Sequence, residues 1–299
     1  MNRSPNTISD EVCRNSVHGR YNPRKAHHKA YVRRKYAKYQ GMKIVEDDTL
    51  WKEVVGRLYD DQSPEAIAGY SRRGIISPIS KNAIYRFMAS VYGRQVEAYR
   101  LRKRRRRRRR RVHTPGLTSR TFIDRRPLYI TTRKRVGDAE ADFIVSGKTG
   151  KGILLVVVDR KTRAAFLERI TKRTICHVHI AFLHIQTRYP EMKTLTMDND
   201  ILFAQHQTLA WLLGVRIYFC HPYHAWEKGT VENTNKVIRR DIPKGSTISR
   251  YTKRFIERLE AKLNRRPMKC LDYGTPQELL TAHRKRMTLK QKQPSGRVS

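Results

Sequence analysis

Three carboxylates, Asp142, Asp198 and Glu232, stand out because each has a sequence context that suggests a defined position in a fold. Asp142 lies in the stretch ADFIV, Asp198 ends the stretch TLTMD, and Glu232 lies near the start of GTVENTNKVIRR. Asp198 and Glu232 are separated by 33 residues, about what a strand, a helix and a further strand need to return to one end of a sheet. Such a convergence of acids could hold divalent cations, which prefer oxygen ligands.

Hydrolysis or transesterification of a phosphodiester uses two such ions about 4 Å apart. We therefore expect two Mg²⁺ ions, with Mn²⁺ as the alternative, bridged by Asp142 and completed by Asp198 and Glu232. Asp138 and Glu140 compete for the first position, but the apolar FIV that follows Asp142 makes its strand position more secure. Taken singly, a strand-end aspartate could simply cap a turn and Glu232 could be an exposed helix residue; their joint order favours a metal site.

The residues around Glu232 have helical spacing. The polar face consists of Glu232, Asn235, Lys236 and Arg239, and the apolar face of Val231, Ile238 and Ile242. A carboxylate that can bind a metal ion, next to side chains that can bind phosphate, predicts contact with nucleic acid. In the preceding loop, His221, Tyr223 and His224 could touch DNA; as zinc ligands they lack partners in the sequence, and a structural role is favoured for each.

Charge independently points to a polyanionic partner. The chain has 299 residues, with 65 Lys and Arg against 26 Asp and Glu, a net charge of +39, which predicts salt-dependent binding to DNA or RNA. A ribosomal or chromatin-type protein is the alternative, but apolar runs such as LLVVV indicate an ordinary core. Four scattered cysteines without a C-x-x-C pair, and no apolar run of about 20 residues, predict a reduced, soluble, cytosolic protein.

The elements that must position the carboxylates follow from apolar periodicity. AEADFIVSG, ILLVVVDR and AAFLERI predict a three-stranded antiparallel meander, and a helix over 174–189 follows it. KTLTMD predicts a fourth strand, FAQHQTLAWLLG a helix, VRIYFC a fifth strand, and further helices cover about 230–240 and 251–264. This βββαβαβα order predicts an α/β, ribonuclease-H-like catalytic core, a mixed five-stranded sheet with flanking helices.

A small all-α helix-turn-helix domain is predicted before this core. The stripe from Leu50 to Leu58, a helix start at Ser63 and a third helix capped by Ser80 make three short helices. Ile84, Phe87, Met88 and Val91 are expected on the buried face of the third helix, and Lys81, Asn82, Tyr85 and Arg86 on its exposed face. Exposed polar groups near a helix N-terminus suit base reading in the major groove. A generic three-helix unit is the equally weighted alternative, and the overall charge favours DNA.

A basic run follows, in which every residue from Arg100 to Arg111 except Leu101 is Arg or Lys. We expect it to lie along phosphates, with Arg104, Arg105, Arg106 and Arg107 among the DNA-binding residues; a nuclear localisation signal is the alternative. The predicted divisions are 1–46, a remnant of an N-terminal helix-turn-helix plus a basic arm; 47–99, the helix-turn-helix domain; 100–127, the arginine-rich linker; 128–283, the catalytic core; and 284–299, a basic tail.

Several blocks together resemble one family, the IS-thirty (IS30) family of bacterial insertion-sequence transposases, within the integrase-type DDE superfamily. The blocks are SPNTISDEVCRN, LWKEVVGRL, ISKNAIYRFM, GDAEADFIV, TMDND, HPYHAWEKGTVENTNKVIRRDIPKG and LNRRPMKCLDYGTPQELL. The resemblance implies that Asp142, Asp198 and Glu232 are catalytic. It also implies that the helical unit from Asp48 to Val91 helps bind DNA, and that the protein binds the terminal inverted repeats of an element and uses exposed 3′ hydroxyls there to attack target DNA. A homodimer or larger synaptic complex is expected, in a nucleoid-associated bacterial protein.

The chain also departs from the family pattern. Ala139 replaces a usual tryptophan, Asp200 a glycine expected to need positive φ, Leu202 stands before Phe203, and residues 225–229 read AWEKG instead of PWQRG. The two helices that commonly precede the SPNTISDEV helix in the family do not occur in these 299 residues, which leads us to expect a truncated N-terminal domain. The leading hypothesis is an active DNA transposase; the alternative is a catalytically weak remnant that binds inverted repeats as a repressor. A nuclease without strand transfer shares the fold but gives no reason for the N-terminal helices.

Overall fold

The computed structural model describes residues 4–37, 42–74, 76–102, 120–147, 150–221 and 224–292. Thirteen α-helices and five strands occur within these ranges. The helices are α1 (Pro5–Asn15), α2 (Pro23–Ala37), α3 (Met42–Glu46), α4 (Asp48–Tyr59), α5 (Pro64–Ser71), α6 (Lys81–Ala89), α7 (Arg94–Arg102), α8 (Leu128–Thr131), α9 (Ile175–Arg188), α10 (His206–Leu213), α11 (Gly229–Asp241), α12 (Lys253–Asn264) and α13 (Pro276–Lys292). The strands are β1 (Asp138–Val145), β2 (Ile153–Asp159), β3 (Ala165–Ile170), β4 (Thr194–Met197) and β5 (Arg216–Phe219). None of the described helices combines the length and apolar character needed to cross a membrane.

One five-stranded sheet of order β3-β2-β1-β4-β5 organises the second half of the chain. The pairs β1–β2 and β2–β3 are antiparallel, whereas β4 is parallel to both β1 and β5. The predicted meander, the two later strands and the helices between them are thereby confirmed. This is the mixed sheet of a ribonuclease-H-like fold, with β1 at its centre.

The two faces of β1 carry different residues because side chains alternate along a strand. Ala139 and Ala141 belong to the core beneath α9 and α10, whereas Ile144 belongs to the core beneath α11 and α12. Asp138, Glu140 and Asp142 share the parity of Ile144 and therefore the α11 side of the sheet. Strand β2 is buried throughout, and each fully buried Val or Leu there contributes about 1.5–3 kcal/mol to stability.

A third core, separate from the two on the faces of the sheet, joins helices α3 to α7. Ile44, Leu58, Phe87 and Val96 are all buried in it, so the helical unit spans a longer stretch than the three helices predicted. Ser63 and Ser80 cap α5 and α6 as expected, each accepting a hydrogen bond from a backbone N–H three residues on. The prediction for Val91 was wrong, because α6 ends at Ala89 and leaves Val91 78% exposed.

Two segments beside the core contact the domain that contains the sheet. Phe122 lies in the segment interpreted as linker and forms an isolated parallel β-bridge with Phe219 of β5. This part of the segment therefore pairs with the edge strand of the sheet. Helix α13 continues through position 284, where the basic tail was predicted to begin, and Arg284 forms an ion pair with Glu191 at 2.6 Å. Both segments therefore contact the domain that contains the five-stranded sheet.

Candidate active site

Asp142 and Asp198 meet because the register of two parallel strands brings them together. Glu140 of β1 lies opposite Thr196 of β4, and continuing this register by two residues places Asp198, which follows β4, beside Asp142. Residues two apart on a strand share a face, so both carboxylates point to the α11 side. The structure thus brings these two aspartates to the same edge of the sheet.

Lys228 joins the two aspartates. Its Nζ atom lies 3.3 Å from Asp142 Oδ1 and 3.0 Å from Asp198 Oδ2, and its side chain is only 6% exposed. Burial alone would lower the pKa of Lys228, but the two carboxylates outweigh this effect and raise it. Lys228 is therefore a buried, charged ammonium held between two acids that come from different strands.

The environment of Asp142 disfavours its charge. Burial raises the pKa of Asp142 and the nearby carboxylate of Asp198 adds to the rise, whereas Lys228 opposes it. Asn235 Nδ2 donates to Asp142 Oδ2 at 2.8 Å, which fixes the second carboxylate oxygen. A carboxylate whose charge is only partly compensated has a strong affinity for a further cation.

Glu232 lies in the first turn of α11 and is half-buried. It is three residues before Asn235, so the two side chains occupy the same face of the helix, the face that Asn235 turns to Asp142. Within the described residues, one group of three His, Cys, Asp or Glu side chains has all its ligand atoms within 4.8 Å of one another, and it does not include these carboxylates. The ligand atoms of Asp142, Asp198 and Glu232 are therefore not all within 4.8 Å of one another.

The sequence offered Glu140 as an alternative to Asp142 for the first metal ligand, but in the structure Glu140 has a different role. It is fully buried, and its Oε2 atom accepts hydrogen bonds from the backbone N–H groups of Thr230 at 2.9 Å and Val231 at 3.0 Å. The other oxygen, Oε1, pairs with Arg160 Nε at 3.0 Å. Glu140 thus satisfies unpaired donors at the N-terminus of α11 and complements the helix dipole there, which anchors the helix that carries Glu232.

The other two basic residues of the polar face of α11 differ in exposure. Lys236 is exposed, whereas Arg239 is half-buried and its guanidinium donates to the backbone carbonyls of Val145 and Pro243. On the opposite face, Val231, Ile238 and Ile242 are fully buried, which confirms the predicted amphipathic pattern.

Asp200 is not in the backbone conformation that was expected. Its φ of −63° and ψ of 143° lie in the extended region, and its Oδ1 atom accepts from the N–H of Leu202 at 2.9 Å. The expectation that this position needs positive φ was therefore wrong: Asp200 acts as an N-cap for the short helical turn at 201–203, a position that favours aspartate.

The predicted DNA-reading residues of α6 form an exposed face. Lys81, Asn82, Tyr85 and Arg86 are all exposed, while Ile84 and Phe87 are buried behind them. Tyr85 is 55% exposed. Arg104, Arg105, Arg106 and Arg107, and Tyr223 of the loop after β5, lie outside the described residues.

Two residues at the site were missed by sequence reasoning. Lys228 appeared only as part of the AWEKG variant, and Glu140 only as a rival ligand. The signal for Glu140 was present in its position two residues before Asp142 on the same strand face. Nothing in the sequence indicated that its partners would be backbone N–H groups 90 residues later.

Comparison with known proteins places these features in context. A transposase for insertion sequence element IS4351 from Bacteroides fragilis is 36% identical over 283 residues, which cover 91% of this chain and 85% of that protein. Transposase InsI for element IS30A from Escherichia coli is 32% identical and covers 94% and 76%. A transposase for element IS1086 from Cupriavidus metallidurans is 30% identical and covers 94% and 86%.

Among solved structures, the catalytic core domain of BIV integrase matches with a TM-score of 0.37 and 20% identity, over 50% of this chain and 97% of that one. No protein-family model matches the chain.

Proposed function

The chain belongs to the IS30 family of bacterial insertion-sequence transposases, and we propose that it performs metal-dependent DNA strand cleavage and strand transfer at Asp142, Asp198 and Glu232. The observation that carries this proposal is the meeting of Asp142 and Asp198 around one ammonium, at 3.3 and 3.0 Å. Two carboxylates brought that close repel each other unless a cation lies between them. A pair of this kind, beside a helix that carries a third acid, suits phosphodiester chemistry.

The donor set fits Mg²⁺, with Mn²⁺ as the alternative. Asp142, Asp198 and Glu232 would supply hard carboxylate oxygens, the ligands that these ions prefer. Lys228 supports the fit, because its ammonium occupies the space between the two aspartates and thereby marks it as a cation position. When bound, a pair of such ions would activate the attacking oxygen and stabilise the leaving oxygen.

The protein's own groups then position the site. Asn235 holds one oxygen of Asp142, so the carboxylate cannot rotate freely. Glu140 fixes the N-terminus of α11 and so fixes the height of Glu232 along the sheet. Lys228 balances the charge of the two aspartates, which keeps them close before DNA arrives.

We propose that DNA binds across two basic surfaces. On the catalytic core, Asn235, Lys236 and Arg239 follow Glu232 along α11 and would contact phosphates near the cleaved bond. On α6, the exposed face formed by Lys81, Asn82, Tyr85 and Arg86 would read the terminal inverted repeats, and the arginine run from 104 to 107 would lie along the backbone between them. Target DNA is the second substrate.

Joining two element ends requires two active sites, so a homodimer or larger synaptic complex is proposed on DNA, within the bacterial nucleoid.

The test is an assay of cleavage and joining on labelled DNA that carries the element's own ends, with and without Mg²⁺. Asp142→Asn, Asp198→Asn and Glu232→Gln should each reduce both products to background. Asp200→Asn is the matched control, because an asparagine Oδ1 can still cap the turn at Leu202, and it should keep activity.

Undiminished cleavage by any one of the three variants would remove that residue from the proposed triad. Specific binding of the ends without any cleavage by the unmodified chain would instead support the repressor.

A further inference from the structure

A second cluster of ligating side chains lies in the loop between β5 and α11, apart from the three carboxylates. His221 Nδ1 lies 3.0 Å from Glu227 Oε1, and His224 Nδ1 lies 3.2 Å from the same oxygen. All three ligand atoms fall within 4.8 Å of one another, the one such group of His, Cys, Asp or Glu residues within the described part of the chain. The partner that these histidines lacked in the sequence is Glu227.

The spacing of these atoms suits a small tetrahedral ion. Zinc binds imidazole nitrogen and carboxylate oxygen at about 2.0–2.2 Å, which places neighbouring tetrahedral ligands about 3.3 Å apart. The two separations between imidazole nitrogen and carboxylate oxygen, 3.0 and 3.2 Å, are close to this value. The donors also differ in kind from those of Asp142 and Asp198, since imidazole nitrogens suit zinc and all-oxygen sets suit magnesium.

A further carboxylate and a ring hold His221 in place. Asp124 Oδ2 lies 2.7 Å from His221 Nε2, the ring nitrogen that does not face Glu227. A carboxylate bound to the far nitrogen of a ligating histidine fixes its tautomer and orientation, an arrangement common around protein-bound zinc. The ring of Phe122 stacks on the His221 ring at 5.3 Å with an interplanar angle of 8°.

The loop is also tied to itself. The backbone N–H of His221 donates to Glu227 Oε2 at 2.9 Å, so both oxygens of Glu227 face the start of the loop. The two histidine rings lie 5.4 Å apart between centroids, close enough for one ion to contact both nitrogens.

We propose that His221, His224 and Glu227 bind one Zn²⁺ ion, with Asp124 orienting His221. Three protein ligands leave a fourth position for water. The bound ion braces the loop whose next residue, Lys228, lies between the two aspartates and whose end opens α11. Because Asp124 binds His221, the ion also holds the segment at 122–124 against that loop. Zinc binding at this site does not depend on the catalytic role proposed for Asp142, Asp198 and Glu232.

The test measures zinc in the full chain directly. The purified protein is treated with a chelator, dialysed, and titrated with Zn²⁺ in excess Mg²⁺, which saturates all-oxygen sites. We expect one tightly bound zinc per chain by elemental analysis. Replacement by Co²⁺ should give visible absorption bands of a four-coordinate nitrogen and oxygen site.

Two double variants separate this site from other histidines. His221→Ala/His224→Ala should lose the tight zinc and the cobalt bands. His27→Ala/His28→Ala removes two exposed histidines of α2 and should retain both. Glu227→Gln should weaken zinc binding at least tenfold while keeping the size of the side chain, and it serves if the double alanine variant fails to fold.

The proposal is overturned if the unmodified chain retains no tight zinc, or if the site variants and the α2 control retain it equally. Asp142→Asn should keep one zinc per chain, so a failed zinc site and a failed catalytic triad give different results.

Discussion

Glu140 and Asp142 lie two residues apart on one face of β1, yet neutralising each should affect stability and cleavage differently. Glu140→Gln keeps one oxygen to cap α11 but turns an amide NH₂ towards Arg160, whose buried guanidinium loses its ion partner. Removing one member of a buried pair costs about 3–5 kcal/mol; we expect about 3 kcal/mol, because Arg160 also donates to the carbonyl of Ile130. At 2–4 °C per kcal/mol for a domain of this size, the Tm should fall by about 6–12 °C.

Asp142→Asn should lower the Tm less than Glu140→Gln does, because Lys228 keeps Asp198 as its second ion partner. The pKa of Asp142 is raised by burial, so at neutral pH its charged form is less favourable in the folded chain than in the unfolded one, and this penalty fades as the pH falls. Removing the charge relieves this penalty and so offsets part of the cost of losing the ion pair with Lys228. The same variant should abolish cleavage, whereas Glu140→Gln should retain cleavage below its Tm.

Thermal unfolding followed by circular dichroism, together with the cleavage assay, checks both variants. Equal melting temperatures for the two variants, or a larger loss for Asp142→Asn, would refute the assignment of Glu140 as the anchor of α11.

Other consequences follow from burial and charge. Burial raises the pKa of the Cys220 thiol to about 12, so at about pH 9, where an ordinary cysteine is largely ionised, iodoacetamide should label the three exposed cysteines and reach Cys220 only after unfolding; rapid labelling of Cys220 in the folded chain would contradict this. Tyr189→Phe should lower the free energy of unfolding by about 1–3 kcal/mol in denaturant titrations, because the buried Tyr189 hydroxyl donates to Asp159; no change would mean that this bond contributes nothing. Arg86→Ala should weaken binding to the element's ends and reduce the salt dependence of that binding by about one ion in fluorescence anisotropy, and an unchanged slope would exclude a phosphate contact.

The secondary structure could be predicted because its signals are local. Strand alternation, apolar helix faces and serine caps at Ser63 and Ser80 need only neighbouring residues, and the order of elements then fixes the fold class. Val91 was misplaced because periodicity does not show where a helix ends: the hydroxyl and the N–H of Ser90 both bond to the carbonyl of Phe87 and close α6 before Val91.

The pairing of Asp142 with Asp198 could be predicted for the same reason, since parallel strands bring their ends to one edge of a sheet. The neighbours of this pair could not. Lys228 and Glu140 act through contacts that depend on how α11 docks, and Asp124 reaches His221 across nearly 100 positions of sequence. Such partners are set by packing of the whole domain, so residue type and spacing alone do not identify them.

The central claim is that Asp142, Asp198 and Glu232 share one metal centre. Replacing Mg²⁺ with Fe²⁺ in the presence of ascorbate and peroxide generates hydroxyl radicals that cut the backbone beside the bound ion. We predict cuts in three separate segments, around positions 142, 198 and 232. Excess Mg²⁺ should suppress these cuts, and Asp142→Asn should abolish them. Cuts that avoid one of these segments, or that persist unchanged in excess Mg²⁺, would contradict the claim.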